Sequence, residues 1–112
     1  MKNRVLAGLQ PERVYRFFEE LCQLPHESHK TTAASDWAEN FAKERGLRYR
    51  RDEAGNVIIW KDASPGYENH PAVIIQGHLD MVCAVKPGSA YNPKTSPVVP
   101  VVVDGVLRSD GN

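Results

Sequence analysis

The sequence predicts an α/β fold in which two amino-terminal helices pack on a mixed sheet. Apolar residues recur at helical spacing over residues 11–23 and 30–45, and the period then changes to alternating or continuous apolar runs. One such run, Ala72-Val73-Ile74-Ile75-Gln76, has no polar side until its end, the pattern of a central strand buried on both faces.

The first helix is predicted over residues 11–23, where Val14, Phe17, Phe18, Leu21 and Cys22 line one buried face. Pro11 stands near its first position and Glu12 in its first turn, where each suits a helix start. Leu24-Pro25 stops it, because a proline disfavours the helical conformation of the residue before it. The second helix is predicted over residues 30–45, with Ser28 as its cap and Ala33, Ala34, Trp37, Ala38, Phe41 and Ala42 as its apolar stripe. Gly46 supplies the left-handed residue that ends many helices, and Leu47 the accompanying apolar contact.

Leu47 and Tyr49 fall in one strand segment and Val57-Ile58-Ile59-Trp60 in the next, with a turn at residues 52–56. The loop at 62–71, holding Pro65-Gly66 and Asn69, leads into the apolar run at 72–76. Four prolines punctuate residues 83–100, and Val101-Val102-Val103-Asp104-Gly105-Val106-Leu107-Arg108 then reads as a hairpin around an Asp-Gly turn. Two helices followed by strands form helix and sheet layers, and no later helix covers the other sheet face. Residues 1–112 are therefore expected to be an incomplete domain.

The 112 residues carry 14 basic and 14 acidic side chains and are 41% hydrophobic, the balance of an ordinary soluble globular protein. A nucleic-acid partner is not expected, because the basic group Arg45, Arg48, Arg50 and Arg51 is short and followed by Asp52 and Glu53. It reads as a solvated strand edge. No membrane partner is expected, since no apolar run is long enough to span a bilayer. Residues 1–10 lack the apolar centre of a secretory signal. Cys22 and Cys83 suit free thiols of a reducing compartment, so a cytoplasmic location is expected.

Gly77-His78-Leu79-Asp80 lies at the end of the apolar run, and open sheets collect ligands at the carboxyl ends of their strands. In extended backbone His78 and Asp80 point the same way, presenting an imidazole and a carboxylate together. A neutral imidazole is a good zinc ligand, and a carboxylate behind it fixes the ring's tautomer. The plainer alternative is a strand-end histidine bonded to Asp80 with no metal. Other residues carry less. His26-Glu27-Ser28-His29 is one residue short of a His-Glu-x-x-His zinc helix and follows Pro25, so it reads as a capping or surface loop. His70 reads as solvent-exposed, Cys83 as an inert buried thiol, and Trp37 and Trp60 as core anchors.

Taken in order, Asp52-Glu53-Ala54-Gly55-Asn56-Val57-Ile58-Ile59, Ala72 to Val82 with its His-Leu-Asp-Met-Val ending, and Val103-Asp104-Gly105-Val106-Leu107 resemble the amino-terminal third of aminoacyl-histidine dipeptidases. Leu24-Pro25-His26-Glu27-Ser28 is similar to that family's loop after its first helix. These enzymes belong with the co-catalytic zinc peptidases that include aminoacylases and carnosinases. The resemblance implies a three-layer αβα zinc-peptidase catalytic domain, of which residues 1–112 form the amino-terminal part. It implies two zinc ions, with manganese or cobalt as alternatives, bridged by a carboxylate and a water, and hydrolysis of dipeptides. On this reading His78 is a metal ligand and Asp80 the catalytic-site carboxylate that orients it. The family's bridging aspartate, its paired glutamates and its remaining ligands lie beyond the hairpin, and Asp110 is not taken as a substitute. This chain alone is therefore expected to be inactive. Homo-oligomer formation is left open, and the alternative is a non-catalytic association module or truncated pseudo-enzyme that keeps the sheet.

Overall fold

The computed structural model describes residues 4–110. Helix α1 spans Glu12–Cys22 and α2 spans Thr32–Glu44, each slightly shorter than the apolar pattern predicts. Strands β1 (Arg48–Arg51) and β2 (Val57–Trp60) form one antiparallel hairpin, and β3 (Pro100–Val103) and β4 (Val106–Ser109) another. The sheet component is thus two small antiparallel sheets, each paired within itself.

The buried face of α1 is narrower than expected. Cys22 is enclosed and Phe17 and Leu21 are half-buried, whereas Val14 and Phe18 are exposed. Glu19 is enclosed instead, because its carboxylate accepts the Leu6 N–H at 2.9 Å and the Arg4 guanidinium at 3.0 Å. A buried carboxylate needs such partners. Phe17 meets Trp37 and Phe41 of α2 edge-on, with ring centroids 6.1 and 5.5 Å apart. The alanine stripe of α2 is borne out, with Ala34, Ala38 and Ala42 all buried.

Helix α2 packs on both strands of the first hairpin. Buried Ser35 donates to the Gly55 carbonyl at 2.6 Å and so pins the turn to the helix. Arg51 pairs with Asp36 and Glu39 of α2, so it is a tether and not part of a solvated edge. Asp52 closes the turn, accepting from the Asn56 N–H at 2.9 Å and from its side-chain amide at 2.8 Å. At the end of α2, Gly46 has φ 62° and donates to the Lys43 carbonyl, while Leu47 donates to that of Ala42. This is the paired closure of a Schellman turn. The second hairpin turns at Asp104 and Gly105, with φ 51° and 74°, as a two-residue primed turn requires.

Three further expectations are corrected. Ser28 does not cap α2: the capping position is Thr31, without a side-chain bond, and the Ser28 hydroxyl is engaged elsewhere. Trp60 is 38% exposed, lying under the Arg48 guanidinium at 4.6 Å instead of anchoring a core. Residues 72–76 form no ladder with any described strand, and Val73, Ile74 and Ile75 are 85%, 89% and 95% exposed. A strand buried on both faces needs paired neighbours and covering layers. Both hairpins pair only internally, so neither supplies them. The Cα radius of gyration, 16.7 Å, reflects this open arrangement, since a compact domain of 100 residues has about 13 Å.

Candidate active site

The segment carrying His78 and Asp80 is held by the loop after α1. Met81 donates its N–H to the His26 carbonyl at 2.9 Å, and Ser28 donates its N–H to the Met81 carbonyl at 3.2 Å. Glu27 and Met81 thereby form a parallel bridge. The sequence reads residues 26–29 as a capping or surface loop, but His26 to Ser28 are half-buried and form the support of the motif. His26 Nδ1 bonds the Leu24 carbonyl, which fixes that ring as well.

On this support three side chains form a relay. Ser28 Oγ donates to Asp80 Oδ2 at 2.6 Å, and Asp80 Oδ1 lies 3.1 Å from His78 Nδ1. The Asp80 carbonyl is 2.7 Å from the same nitrogen. Two acceptors at Nδ1 favour a proton there, which leaves Nε2 with a lone pair to give. The Ser28 hydroxyl holds the Asp80 carboxyl below the usual aspartate range, partial desolvation opposes it, and His78 adds to the lowering. The His78 side chain is 74% exposed, so its ring is accessible.

The motif borders a cavity of about 630 Å³. Phe18, Leu21 and Cys22 of α1 supply an apolar wall, and His26, His78, Asp80, Cys83, Tyr91 and Asp110 supply the polar groups. The Val98 N–H donates to the Cys22 carbonyl at 2.8 Å, seating the approach to β3 on the end of α1. Asp110 reaches the cavity because its N–H bonds the Val99 carbonyl at 2.9 Å. Cys83 is half-buried in the cavity wall, not fully buried as expected, and neither Cys22 nor Cys83 is in a disulfide. Burial pushes the Tyr91 hydroxyl up from its ordinary pKa, and Cys83 beside it adds to the shift. His70 is exposed in its loop, as expected, with its ring 5.1 Å from that of Tyr67.

The structure therefore brings the two predicted site residues together and adds Ser28, which the sequence reading assigned to a helix cap. The donor chemistry fits one metal ligand with its supporting carboxylate. It does not amount to a whole site: a catalytic zinc takes about three protein ligands, and no three His, Cys, Asp or Glu side chains converge among the described residues.

A crystal structure of aminoacylhistidine dipeptidase from Vibrio alginolyticus matches this chain with a TM-score of 0.90 at 32% identity. The chain matches part of a dipeptidase. That likeness covers 95% of this chain and 22% of the solved one. The cytosol non-specific dipeptidase of Escherichia coli strain K12 is 32% identical over 106 residues, again 95% of this chain and 22% of the relative. The chain thus spans about a fifth of the length of these dipeptidases, less than the third that the motifs suggested. No family model matches it. Among the described residues no helix is long and apolar enough to cross a membrane.

Proposed function

We propose that this chain is part of the catalytic domain of a cytoplasmic metal-dependent dipeptidase of the aminoacyl-histidine type. The observation that carries the reading is the state of His78. Its Nδ1 meets two oxygens of Asp80, an arrangement that leaves Nε2 a lone pair to offer, and it stands beside a cavity within a chain that is 32% identical to two dipeptidases. His78 serves as a metal ligand through Nε2, and Asp80 fixes its tautomer and orientation. Zinc is the expected metal, with manganese or cobalt as alternatives, and when bound it polarises a scissile carbonyl and makes water nucleophilic near neutral pH. The apolar wall offers a surface for the side chains of a dipeptide. The remaining ligands and the general base fall outside the described cluster, so no chemical step is assigned to this chain alone.

The full-length protein and the 112-residue chain are assayed against several dipeptides, including β-alanyl-histidine, with added zinc, manganese or cobalt and with a chelator. The full-length protein should show chelator-sensitive hydrolysis that His78→Ala abolishes together with metal content, and the chain alone should show none. Full metal content and turnover in the variant would remove His78 from the site. Chelator-sensitive turnover by the isolated chain, lost on His78→Ala, would mean that this chain supplies every ligand itself.

A further inference from the structure

We propose that Ser28 is a positioning residue of the site, acting through Asp80 to hold His78 in the tautomer that leaves Nε2 free. The inference deepens the dipeptidase reading and rests on it for its purpose, though not for its geometry. Ser28 lies 52 residues before Asp80, and its hydroxyl approaches Asp80 Oδ2 at 2.6 Å, a short charge-assisted bond. The other carboxylate oxygen, Oδ1, is the one facing His78. A carboxylate held at one oxygen cannot rotate freely about its terminal torsion, so fixing Oδ2 fixes the direction in which Oδ1 accepts.

The placement of Ser28 rests mainly on backbone bonds, its hydroxyl adding only a 3.5 Å approach to the Met81 carbonyl. Its N–H bonds the Met81 carbonyl and the Met81 N–H bonds His26, so backbone bonds on either side of Glu27 set the loop against the motif. The single hydroxyl proton goes to the carboxylate, at 2.6 Å much the nearer of its two acceptors. Without the hydroxyl, Asp80 Oδ2 would lose its side-chain donor, and His78 Nδ1 would keep the Asp80 carbonyl at 2.7 Å but lose a carboxylate oxygen of fixed direction. Imidazole ligands depend on such outer partners for tautomer and orientation.

The test uses the ring nitrogens of His78 in the 112-residue chain, read by nitrogen-15 NMR at a pH where the imidazole is neutral. The unmodified chain should show Nδ1 protonated and Nε2 unprotonated. Because the Asp80 carbonyl still faces Nδ1, Ser28→Ala should shift both resonances part of the way toward the averaged values of a ring exchanging between tautomers, and Ser28→Thr, which keeps the hydroxyl, should restore the separation. Zinc added to each protein and followed at the same resonances should bind about tenfold more weakly to Ser28→Ala, the low end of losses from an outer partner. Unchanged nitrogen shifts in Ser28→Ala would overturn the positioning role. If Ser28→Ala fails to fold, Ser28→Cys, a near-isosteric weak donor, takes its place and must show the same shift toward averaging. A fixed tautomer with no zinc response in the unmodified chain would leave the relay intact and count against the metal reading instead.

Discussion

Replacing Asp80 by asparagine keeps the size of the side chain and removes the charge that His78 Nδ1 meets at 3.1 Å. In a full-length protein carrying this chain, Asp80→Asn should retain much of its metal, since on the proposed reading His78 is the ligand and remains, but lose about 10–100-fold in turnover, the usual result of removing a carboxylate behind a metal-bound histidine. Metal analysis of the purified variant beside steady-state kinetics separates the two effects, and turnover equal to the parent's would remove Asp80 from the mechanism. His78 and Asp80 could be paired from the sequence because residues two apart in extended backbone share a face. Ser28 could not, because its contact spans 52 positions and depends on how the loop after α1 meets Met81. Its hydroxyl, close before a helix, suits a cap equally well, and the resemblance of Leu24-Pro25-His26-Glu27-Ser28 to a family loop attached no role to it.

At the scale of elements, the features that were legible are those with local causes. Gly46 ends α2 at φ 62°, and a Cβ added there would meet nothing within 4 Å, so its value is conformational alone. Gly46→Ala should therefore destabilise the α2 and β1–β2 unit by about 1–2 kcal/mol through left-handed strain, seen as a lower midpoint of urea unfolding. An unchanged midpoint would mean that the turn does not need glycine. The first hairpin should also respond to acid. Asp52 is held below its ordinary range by the Asn56 side chain and backbone. A depressed carboxyl contributes stability that is complete above its unfolded value and lost as the pH falls through its folded one. Chemical shifts of Asn56 and Gly55 should thus stay native through the ordinary aspartate range and change only below it, whereas a change centred at the ordinary value would show that these bonds are not made in solution. Residues 72–76 were misplaced for the complementary reason. Their apolar composition states that both faces want cover, but nothing local says where the cover comes from, and neither hairpin supplies it.

For the whole molecule, the balance of 14 basic and 14 acidic residues leaves no net charge to hold two copies of the chain apart. Val73, Ile74 and Ile75 are almost fully exposed and Val82 is 87% exposed, so apolar side chains lie beside backbone that no described strand pairs. Such a segment is a template for strand pairing between chains, and contiguous exposed apolar surface adds the driving force. The purified 112-residue chain should therefore self-associate, with a weight-average mass in sedimentation equilibrium that rises with concentration. A single lysine placed in the segment should oppose both effects, since charge on an exposed strand blocks edge pairing. Ile74→Lys is the sharpest choice, because the parent side chain is 89% exposed and its loss removes no internal packing. The variant should sediment closer to a monomer while its circular dichroism stays that of the parent. A parent chain that sediments as a concentration-independent monomer would mean that residues 72–76 find cover within the chain. Association unaffected by Ile74→Lys would place the contact elsewhere, with the exposed valines of the second hairpin, Val102, Val103 and Val106, as the next surface to test.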